Sequence, residues 1–407
     1  MTILDTPPAQ DLLADAVFAA QDIADLANRL DPFLARYLPL FQRSEQRHHA
    51  RHILQGKLSH LSRKTAEPIA HLFGLRRETL QDFVGSSPWR DDLLLEALRQ
   101  HVCEAWGDPD GVLLGDGSGF PKKGEGSCGV KRQYCGRLGK VENCQVGIFL
   151  AYACRHGRTL LEHRLFLPPE WANDQDRRQQ GKIPSEVTYR EGWELLLEQV
   201  DRCRDVPHRW FVCDAEFGKV YAFRQGLRQR GERYAVEVRH DQSIRDLHQQ
   251  RTRRSNHGPA PLPPFEAVSA WAARQPATAW QRFEIRGGEK GPLVVEAVQT
   301  LAAQTRDEQR VGASERVLVI RTAGHQEAHT WYVFSNAEAE IPLAEVVWAH
   351  AQRYWEEANF QQAKSEVGMG HYEVRSWVGW HHHMTLTLLA LWFIVAQTAE
   401  LEKKRQQ

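Results

Sequence analysis

A short, almost wholly apolar segment near the middle of the chain, WFVCD at residues 210–214, predicts a strand that is buried on both faces. It lies between two stretches with helical periodicity, residues 185–202 and residues 220–230. A strand without polar alternation needs helices on both faces of its sheet, which is the arrangement of an α/β fold. Further strands of this core are predicted at residues 111–116, 145–154, 159–167 and 234–238. The predicted order of elements is therefore β-β-β-α-β-α-β.

The segments on either side of this core have different patterns. Residues 11–102 show helical periodicity with few clusters of β-branched residues, which predicts an all-helical N-terminal domain. A charged, proline-rich stretch at residues 251–264 marks a boundary, and a mostly β insertion is predicted beyond it before helix resumes near residue 344. We therefore expect three domains: residues 1–105, residues 106–240 together with 340–402, and residues 241–339.

The composition excludes several classes of protein. The 407 residues contain 52 Lys+Arg and 52 Asp+Glu, so any nucleic-acid site must be a local patch. The seven cysteines include no CxxC pair, which argues against a disulfide framework and a zinc ribbon. The N-terminus has acids and prolines where a signal peptide has basic and apolar residues, and the apolar run at residues 384–396 is too short to span a bilayer. We expect a cytoplasmic protein without a membrane segment.

Two aspartates follow predicted core strands, and a glutamate lies on a predicted helix beyond the insertion. Asp116 ends the strand at 111–116, Asp214 ends the strand at 210–214, and Glu357 lies in the segment RYWEEANF. Carboxylates at strand ends on the loop edge of an α/β sheet converge on one site. Three such carboxylates suit two Mg²⁺ ions about 3.5–4 Å apart that clamp the oxygens of a phosphodiester. Asp116 would bridge both ions, while Asp214 and Glu357 would each hold one.

Each of these acids also has a purely structural interpretation. A lone strand-end aspartate is more often a helix cap or a turn residue. The helix with Glu357 is equally well explained as a surface helix with i,i+4 pairs, although Trp355 and Phe360 indicate partial burial. At 100° per residue, Glu357 shares about 60° of one helical face with His350, Arg353 and Lys364. The three consecutive histidines at 381–383 point different ways on a helix and cannot chelate one ion together.

The N-terminal helices contain a weaker signal for phosphate binding. Residues 43–64 carry six Lys or Arg against one acid, which fits a phosphate-binding surface and a solvated basic face equally. Residues 65–84 predict a helix, a turn at Gly74 and a second helix, an outline shared by helix-turn-helix readers and many plain helical cores.

Three motifs together resemble one branch of the bacterial insertion-sequence DDE transposases. They are DGSGFPKKGEGSCGVKRQYCGRLGKVENCQVGIFL, CDAEFG and RYWEEANFQQAKSEVGMGHYEVRSWVGWHHHMTL. The resemblance covers nearly the whole chain and implies a ribonuclease-H-like catalytic core that is interrupted by a β insertion and followed by a Tyr-Arg-Glu-Lys signature helix. Arg353, Glu357 and Lys364 match the signature at its intervals, whereas His350 stands at the tyrosine position.

The resemblance also implies a function and a set of site residues. The implied protein is a DDE superfamily endonuclease that binds terminal inverted repeats through its N-terminal helices. It would cleave the DNA there and join the 3′-hydroxyl ends to target DNA by two-metal phosphoryl transfer. Excision would pass through hairpin intermediates. Asp116, Asp214 and Glu357 would be its catalytic and metal-binding residues, with Mg²⁺, or Mn²⁺ as a substitute, as the cofactor. Its partners would be double-stranded DNA and a second copy of the chain, in a bacterial cytoplasm at the nucleoid.

A glycine-rich basic and aromatic loop beside Asp116 supplies further candidates for DNA contact, and Trp331 matches the tryptophan on which a flipped base stacks in that group. The candidate DNA-binding residues are Lys122, Lys123, Lys131, Arg132, Arg137, Lys140, Trp331, Arg353, Lys364 and Arg375. Two alternatives stay open: a domesticated transposase that acts as a DNA-binding regulator, and an endonuclease of the same fold that cuts without strand transfer.

Overall fold

The described residues up to Trp106 form helices and the connections between them. The computed structural model describes residues 20–248, 262–286, 293–306, 310–323 and 329–405. The first helices are α1 (Ala20–Tyr37), α2 (Ser44–Leu58), α3 (Ala66–Leu72), α4 (Arg77–Gly85) and α5 (Asp91–Trp106). Gly74 adopts a left-handed backbone conformation (φ +64°) and makes the turn between α3 and α4, as the sequence predicts.

A five-stranded sheet follows and includes the apolar segment at 210–213. Its strands and the helices between them are β1 (Val112–Pro121), β2 (Lys131–Cys135), β3 (Lys140–Cys154), β4 (Gly157–Leu165), α6 (Pro169–Ala172), α7 (Gln175–Gly181), α8 (Gly192–Arg202) and β5 (Trp210–Cys213). The strands are paired in the order β2-β3-β1-β5, with β4 also on β3. The pairing of β1 with β5 is parallel, whereas β1, β2 and β4 all pair with β3 in an antiparallel manner.

Two of the predicted element limits in this region are wrong. Strand β1 does not end at Asp116 but continues to Pro121, because residues 117–121 stay paired with β3 as far as Cys144. The glycines allow this: a Cβ on Gly119 would lie 2.7 Å from the Sγ of Cys135 on β2. Helix α8 begins at Gly192 rather than near residue 185, because Glu191 caps it and its backbone N–H donates to Glu194 Oε2 (2.8 Å).

The second sheet contains seven strands within the described residues. Its region comprises α9 (Ala215–Gly218), α10 (Tyr221–Gln229), β6 (Ala235–Val238), β7 (Ser243–Asp246), β8 (Glu266–Ala267), α11 (Val268–Ala273), β9 (Gln281–Arg286), β10 (Leu293–Arg306), β11 (Val311–Thr322) and β12 (Thr330–Ser335). The strand order is β6-β12-β11-β10-β7-β8, with β9 also on β10. Strand β6, which the sequence pattern groups with the core, pairs with β12 and meets β5 through a parallel bridge between Tyr234 and Phe211.

The last helices return to the first sheet. They are α12 (Leu343–Ala351), α13 (Tyr354–Ser365) and α14 (Trp377–Arg405). The predicted continuous helix through Glu357 is wrong, since the chain turns at residues 352–353 and separates α12 from α13. The structure is thus mixed α/β with two sheets, and one cluster of buried apolar side chains runs from the N-terminal helices to α14.

Helix α14 is the one described helix that is long and apolar enough to cross a membrane, with a mean hydropathy of 1.5 over its most apolar window. Within the protein, 61% of that window is buried, and every residue from His381 to Phe393 is buried. A core helix of a soluble protein has the same properties. The boundary predicted at residues 251–264 lies mostly outside the described residues.

Candidate active site

Asp116 and Asp214 lie side by side on neighbouring parallel strands. In the register of β1 with β5, Gly115 is paired with Cys213, so the two aspartates are the next residues along both strands. Neighbouring strands are about 4.8 Å apart, which brings the two carboxylates onto one side of the sheet at one level. Asp116 Oδ1 accepts a hydrogen bond from the backbone N–H of Gly117 (2.7 Å). Asp214 Oδ1 accepts one from the backbone N–H of Glu216 (2.9 Å), so Asp214 is also the N-cap of α9.

Burial and neighbouring charges perturb the ionisation of both aspartates. Burial raises the pKa of Asp116, and the Asp214 carboxylate raises it further, while the Arg353 guanidinium opposes both effects. Burial also raises the pKa of Asp214, again against the influence of Arg353. A third carboxyl, that of Glu216, has its pKa raised by burial and by Asp214. Without a cation, this edge of the sheet therefore favours protonated carboxyl groups.

Glu357 lines the same cleft as the two aspartates. The cleft has a volume of about 960 Å³ and lies between β1, α9 and α13. Arg353 and Lys364, the two other signature residues, also line it, so the structure brings together all the predicted acids and two of the predicted cations. The Lys364 ammonium lies 5.3 Å from the centre of the Phe360 ring. Glu357 is exposed, whereas Asp116 and Asp214 are half-buried.

The neighbouring Glu356 is an acid that the sequence analysis missed. Its side chain is 1% exposed, and neither carboxylate oxygen has a hydrogen-bond partner among the described residues. Asn359, one helical turn further along α13, is likewise buried without a side-chain partner. Burial raises the pKa of Glu356 well above its ordinary value, and Asp116 raises it further. A neutral carboxylic acid beneath the cleft is therefore the favoured form of Glu356.

The carboxylates of the cleft have the right chemistry for divalent cations. Oxygen ligands from carboxylates are those that Mg²⁺ prefers, and a cation beside Asp116 would offset the Asp214 charge that adds to burial in raising the pKa of Asp116. In the described part of the chain, no three or more His, Cys, Asp or Glu side chains are already arranged to hold one ion. The three acids therefore share one cleft and have the ligand chemistry that suits a divalent cation, although their side chains do not already form a three-residue ligand set.

The predicted DNA-binding residues Lys131, Arg132 and Lys140 of the β2–β3 hairpin are not among the residues that line the cleft. The side chains of Arg132 and Lys140 are exposed, whereas the ammonium of Lys131 lies 2.5 Å from Glu170 Oε1. The residues of this hairpin that do line the cleft are Gln133, Tyr134 and Gly136, and Tyr134 is 63% exposed. The side chain of Arg137 lies outside the described part.

The remaining candidates are likewise not among the residues that line the cleft. Lys123 is exposed, while Lys122 lies with its ammonium 3.4 Å from the centre of the Tyr372 ring, and burial lowers its pKa to about 8. Arg375 is exposed at the mouth of a second cavity, between α2, α3 and the segment after α13. Trp331 on β12 is half-buried, with its ring centre 5.8 Å from that of His350. The DNA-contact roles of these residues stay predictions.

Glu216 and Glu237 are further carboxylates that sequence reasoning missed. Glu216 belongs to the quoted motif CDAEFG and lines the cleft. Glu237 lies within the apolar strand YAVEV, and its carboxylate accepts hydrogen bonds from Arg353 and His350. In both cases the signal was available, because a charged residue inside a buried strand or directly after a strand-end aspartate requires a partner.

Comparison with known proteins identifies the family of the chain. The chain belongs to the DDE superfamily endonucleases, whose family pattern matches residues 36–292, and the family predicted from the three motifs is thereby confirmed. The match includes Asp116 and Asp214 and ends before Glu357. Over 120 residues the chain is 31% identical to a protein of Microchaete diplosiphon described as a probable transposase for insertion sequence element IS701. That similarity covers 29% of this chain and 32% of the relative, so the chain matches about a third of the relative's length.

Proposed function

We propose that the chain is an insertion-sequence transposase, which binds terminal inverted repeats, cleaves DNA there and joins the 3′-hydroxyl ends to target DNA. The observation that carries the proposal is the pair formed by Asp116 and Asp214, in a cleft that Glu357 also lines. The family membership and the printed description of the relative support the same activity. The proposal includes a ribonuclease-H-like layout for the five-stranded sheet and a DNA-binding role for the N-terminal helices.

The side chains of the cleft have distinct roles in this reaction. Asp116, Asp214 and Glu357 supply the oxygen ligands for two Mg²⁺ ions, with Mn²⁺ as a substitute. When bound, these ions activate the attacking hydroxyl and stabilise the charge on the scissile phosphate. Arg353 provides positive charge beside the two aspartates. Lys364 lines the cleft on the side of Phe360, where it can pair with a phosphate of the bound strand.

The exposed surface around the cleft supports a path for DNA. Lys123 and Arg132 are exposed, and Tyr134, close to Arg132 in the sequence, lines the cleft and is itself 63% exposed. Cations of this kind contact phosphates, and an exposed aromatic ring can stack on an unpaired base. Because two transposon ends must be held together, the active form would be at least a dimer on DNA in the bacterial cytoplasm.

Trp331 supports excision through a hairpin intermediate. Its ring lies beside His350, at the junction of the second sheet with the helices that lead to Glu357. A base flipped onto an indole ring gains about 1–3 kcal/mol of stacking free energy, which helps the strand to bend back on itself.

A cleavage and strand-transfer assay tests the function. End-labelled DNA with the element's inverted repeats is incubated with Mg²⁺ and either the wild type, Asp116→Asn or the control Asp201→Asn. Asp201 is a surface aspartate on α8 that pairs with Arg230, so its loss leaves the cleft unchanged. We expect cutting and joining by the wild type and the control but not by Asp116→Asn. Cutting without joining would identify an endonuclease of the same family, and binding without cutting would identify a DNA-binding regulator.

A further inference from the structure

One buried carboxylate outside the predicted triad connects the second sheet to the cleft. Glu237 is the third residue of β6, and its side chain is 12% exposed. Its Oε1 atom accepts a hydrogen bond from Arg353 Nε (2.7 Å) and another from His350 Nε2 (3.0 Å). His350 lies in the last turn of α12 and Arg353 is the residue directly before α13, so a single oxygen atom joins the end of α12 to the start of α13.

The guanidinium of Arg353 lies between Glu237 and the acids of the cleft. Burial would lower the pKa of Arg353, but the Glu237 carboxylate raises it above its ordinary value, and Glu356, Asp116 and Asp214 act in the same direction when they are ionised. The arginine side chain is 22% exposed, so most of its surface is enclosed by protein. Arg353 is therefore held by Glu237 on one side and attracted by the two aspartates on the other.

We propose that Glu237 is a positioning residue of the active cleft, which holds Arg353 at a fixed distance from Asp116 and Asp214, with His350 as the second donor that fixes Glu237. This inference rests on the proposed function, because it assigns Glu237 a role at the cation site of that reaction. An arginine that is not held in this way would move onto the aspartates and occupy the place of the cation. Glu237 thus keeps the aspartate pair open for its ligand.

The role proposed for Glu237 gives a function to His350, the histidine that stands at the signature tyrosine position. His350 is 5% exposed and enclosed, so its imidazole is not available to a DNA phosphate in this structure. Its ring N–H instead satisfies the Glu237 carboxylate, and its ring packs against Trp331. A protein group that orients a ligand or its neighbour commonly changes metal affinity 10–100-fold when it is removed.

Mn²⁺ binding to the full-length protein without DNA, measured by electron paramagnetic resonance, tests the proposal. We expect Glu237→Gln to bind Mn²⁺ about 10–100-fold more weakly than the wild type. The matched control is Glu296→Gln, since Glu296 lies on the second sheet and accepts hydrogen bonds from Arg321 (2.7 and 3.0 Å) without contacting the cleft residues. The control should bind Mn²⁺ like the wild type.

His350→Phe provides a second, independent variant. It removes the donor to Glu237 and keeps an aromatic ring beside Trp331, and we expect a weaker loss of Mn²⁺ affinity than in Glu237→Gln. Because His350 acts through Glu237, the double variant should bind no more weakly than Glu237→Gln alone. If circular dichroism shows that Glu237→Gln does not fold, the Mn²⁺ affinity of His350→Phe tests the proposal instead. An unchanged Mn²⁺ affinity in His350→Phe would then overturn the proposal.

The outcomes separate this inference from the proposed function. Unchanged Mn²⁺ affinity in a folded Glu237→Gln protein, with DNA cleavage by the wild type intact, overturns the role of Glu237 alone. A wild type that neither binds Mn²⁺ nor cuts DNA overturns both.

Discussion

Asp116 and Asp214 are the next residues after a directly paired Gly115 and Cys213 on neighbouring parallel strands. Two carboxylates at one level of adjacent strands repel each other unless a proton or a cation lies between them. This arrangement makes the folded protein sensitive to pH and to divalent metal in ways that can be measured without DNA.

The first prediction concerns the stability of the metal-free protein. The pKa of Asp116 is raised from the ordinary value of 3.8 to about 8 in the folded protein. Protonation of this carboxyl therefore favours the folded state, and its contribution to stability is complete below pH 3.8 and is lost as the pH rises towards 8. Asp116→Asn lacks this ionisation. Its free energy of unfolding should exceed that of the wild type at pH 8 by at least about 1.4 kcal/mol, the equivalent of one pKa unit, and by less at pH 5. Urea unfolding with a chelator measures both values, and equal differences at the two pH values would contradict the argument.

The second prediction separates the two adjacent glutamates of α13. Glu357→Gln should abolish DNA cleavage and leave end binding intact, because Glu357 lines the cleft and is the third of the proposed metal ligands. Glu356→Gln should leave unfolding at pH 7 nearly unchanged, because burial holds Glu356 in its neutral form, which glutamine resembles. Gel-based cleavage and thermal unfolding of both variants provide the measurements. Full cleavage by Glu357→Gln would remove it from the triad.

The third prediction concerns Lys57, a lysine that is buried between α2 and α14. Its ammonium donates to Thr387 Oγ1 (2.8 Å), and burial lowers its pKa to about 7. Because the folded-state pKa lies below the unfolded-state value of 10.5, stability is greatest above pH 10.5 and falls as the pH falls towards 7. Lys57→Met should therefore be more stable than the wild type at pH 7 by at least about 1.4 kcal/mol, with a smaller gain at pH 10. Thermal unfolding at the two pH values checks this prediction. If Lys57→Met is less stable than the wild type at pH 7, burial of the Lys57 ammonium does not destabilise the folded protein as argued.

The fourth prediction compares two lysines of the basic region beside Asp116. Lys123 is exposed, whereas Lys131 pairs with Glu170. If Lys123 contacts a phosphate, Lys123→Ala should weaken DNA binding for all sequences and reduce the salt slope by about 0.9. Lys131→Ala should change the slope less. Fluorescence anisotropy of labelled duplex DNA between about 50 and 200 mM salt measures both slopes, and an unchanged slope in Lys123→Ala would exclude it from the phosphate surface.

The fifth prediction concerns the hairpin intermediate. Trp331→Ala should reduce the hairpin product about tenfold, which corresponds to a loss of about 1.4 kcal/mol of stacking free energy, while initial nicking continues. Trp331→Phe keeps an aromatic face and should retain most of the product. Denaturing gels of end-labelled substrate resolve nicked and hairpin DNA. Equal hairpin yields from the wild type and the alanine variant would assign Trp331 to the core of the second sheet.

The sequence predicts which helices and strands surround the cleft, but it predicts less well the residues at which they begin and end. The apolar segment WFVCD forms the strand β5, and three signature residues line the cleft, because burial and helical spacing are local properties. The continuation of β1 beyond Asp116 depends on pairing with the long strand β3, which no local pattern in a glycine-rich segment reveals. The turn between α12 and α13 contains no proline or glycine, so the local sequence does not signal it. It lies where His350 and Arg353 contact Glu237, which belongs to a strand distant in the sequence.

The pairing of β6 with β12 has a consequence for any attempt to exchange parts of this protein. A chimaera that replaces residues 241–339 would remove β12 and leave β6 without its hydrogen-bonded neighbour. Glu237 lies opposite Val333 in that pairing, so a foreign graft would have to reproduce the backbone register of β12 to keep the carboxylate in place. The transplantable unit is therefore residues 235–335 rather than the inserted segment alone, and recombination between relatives should preserve the chain across β6.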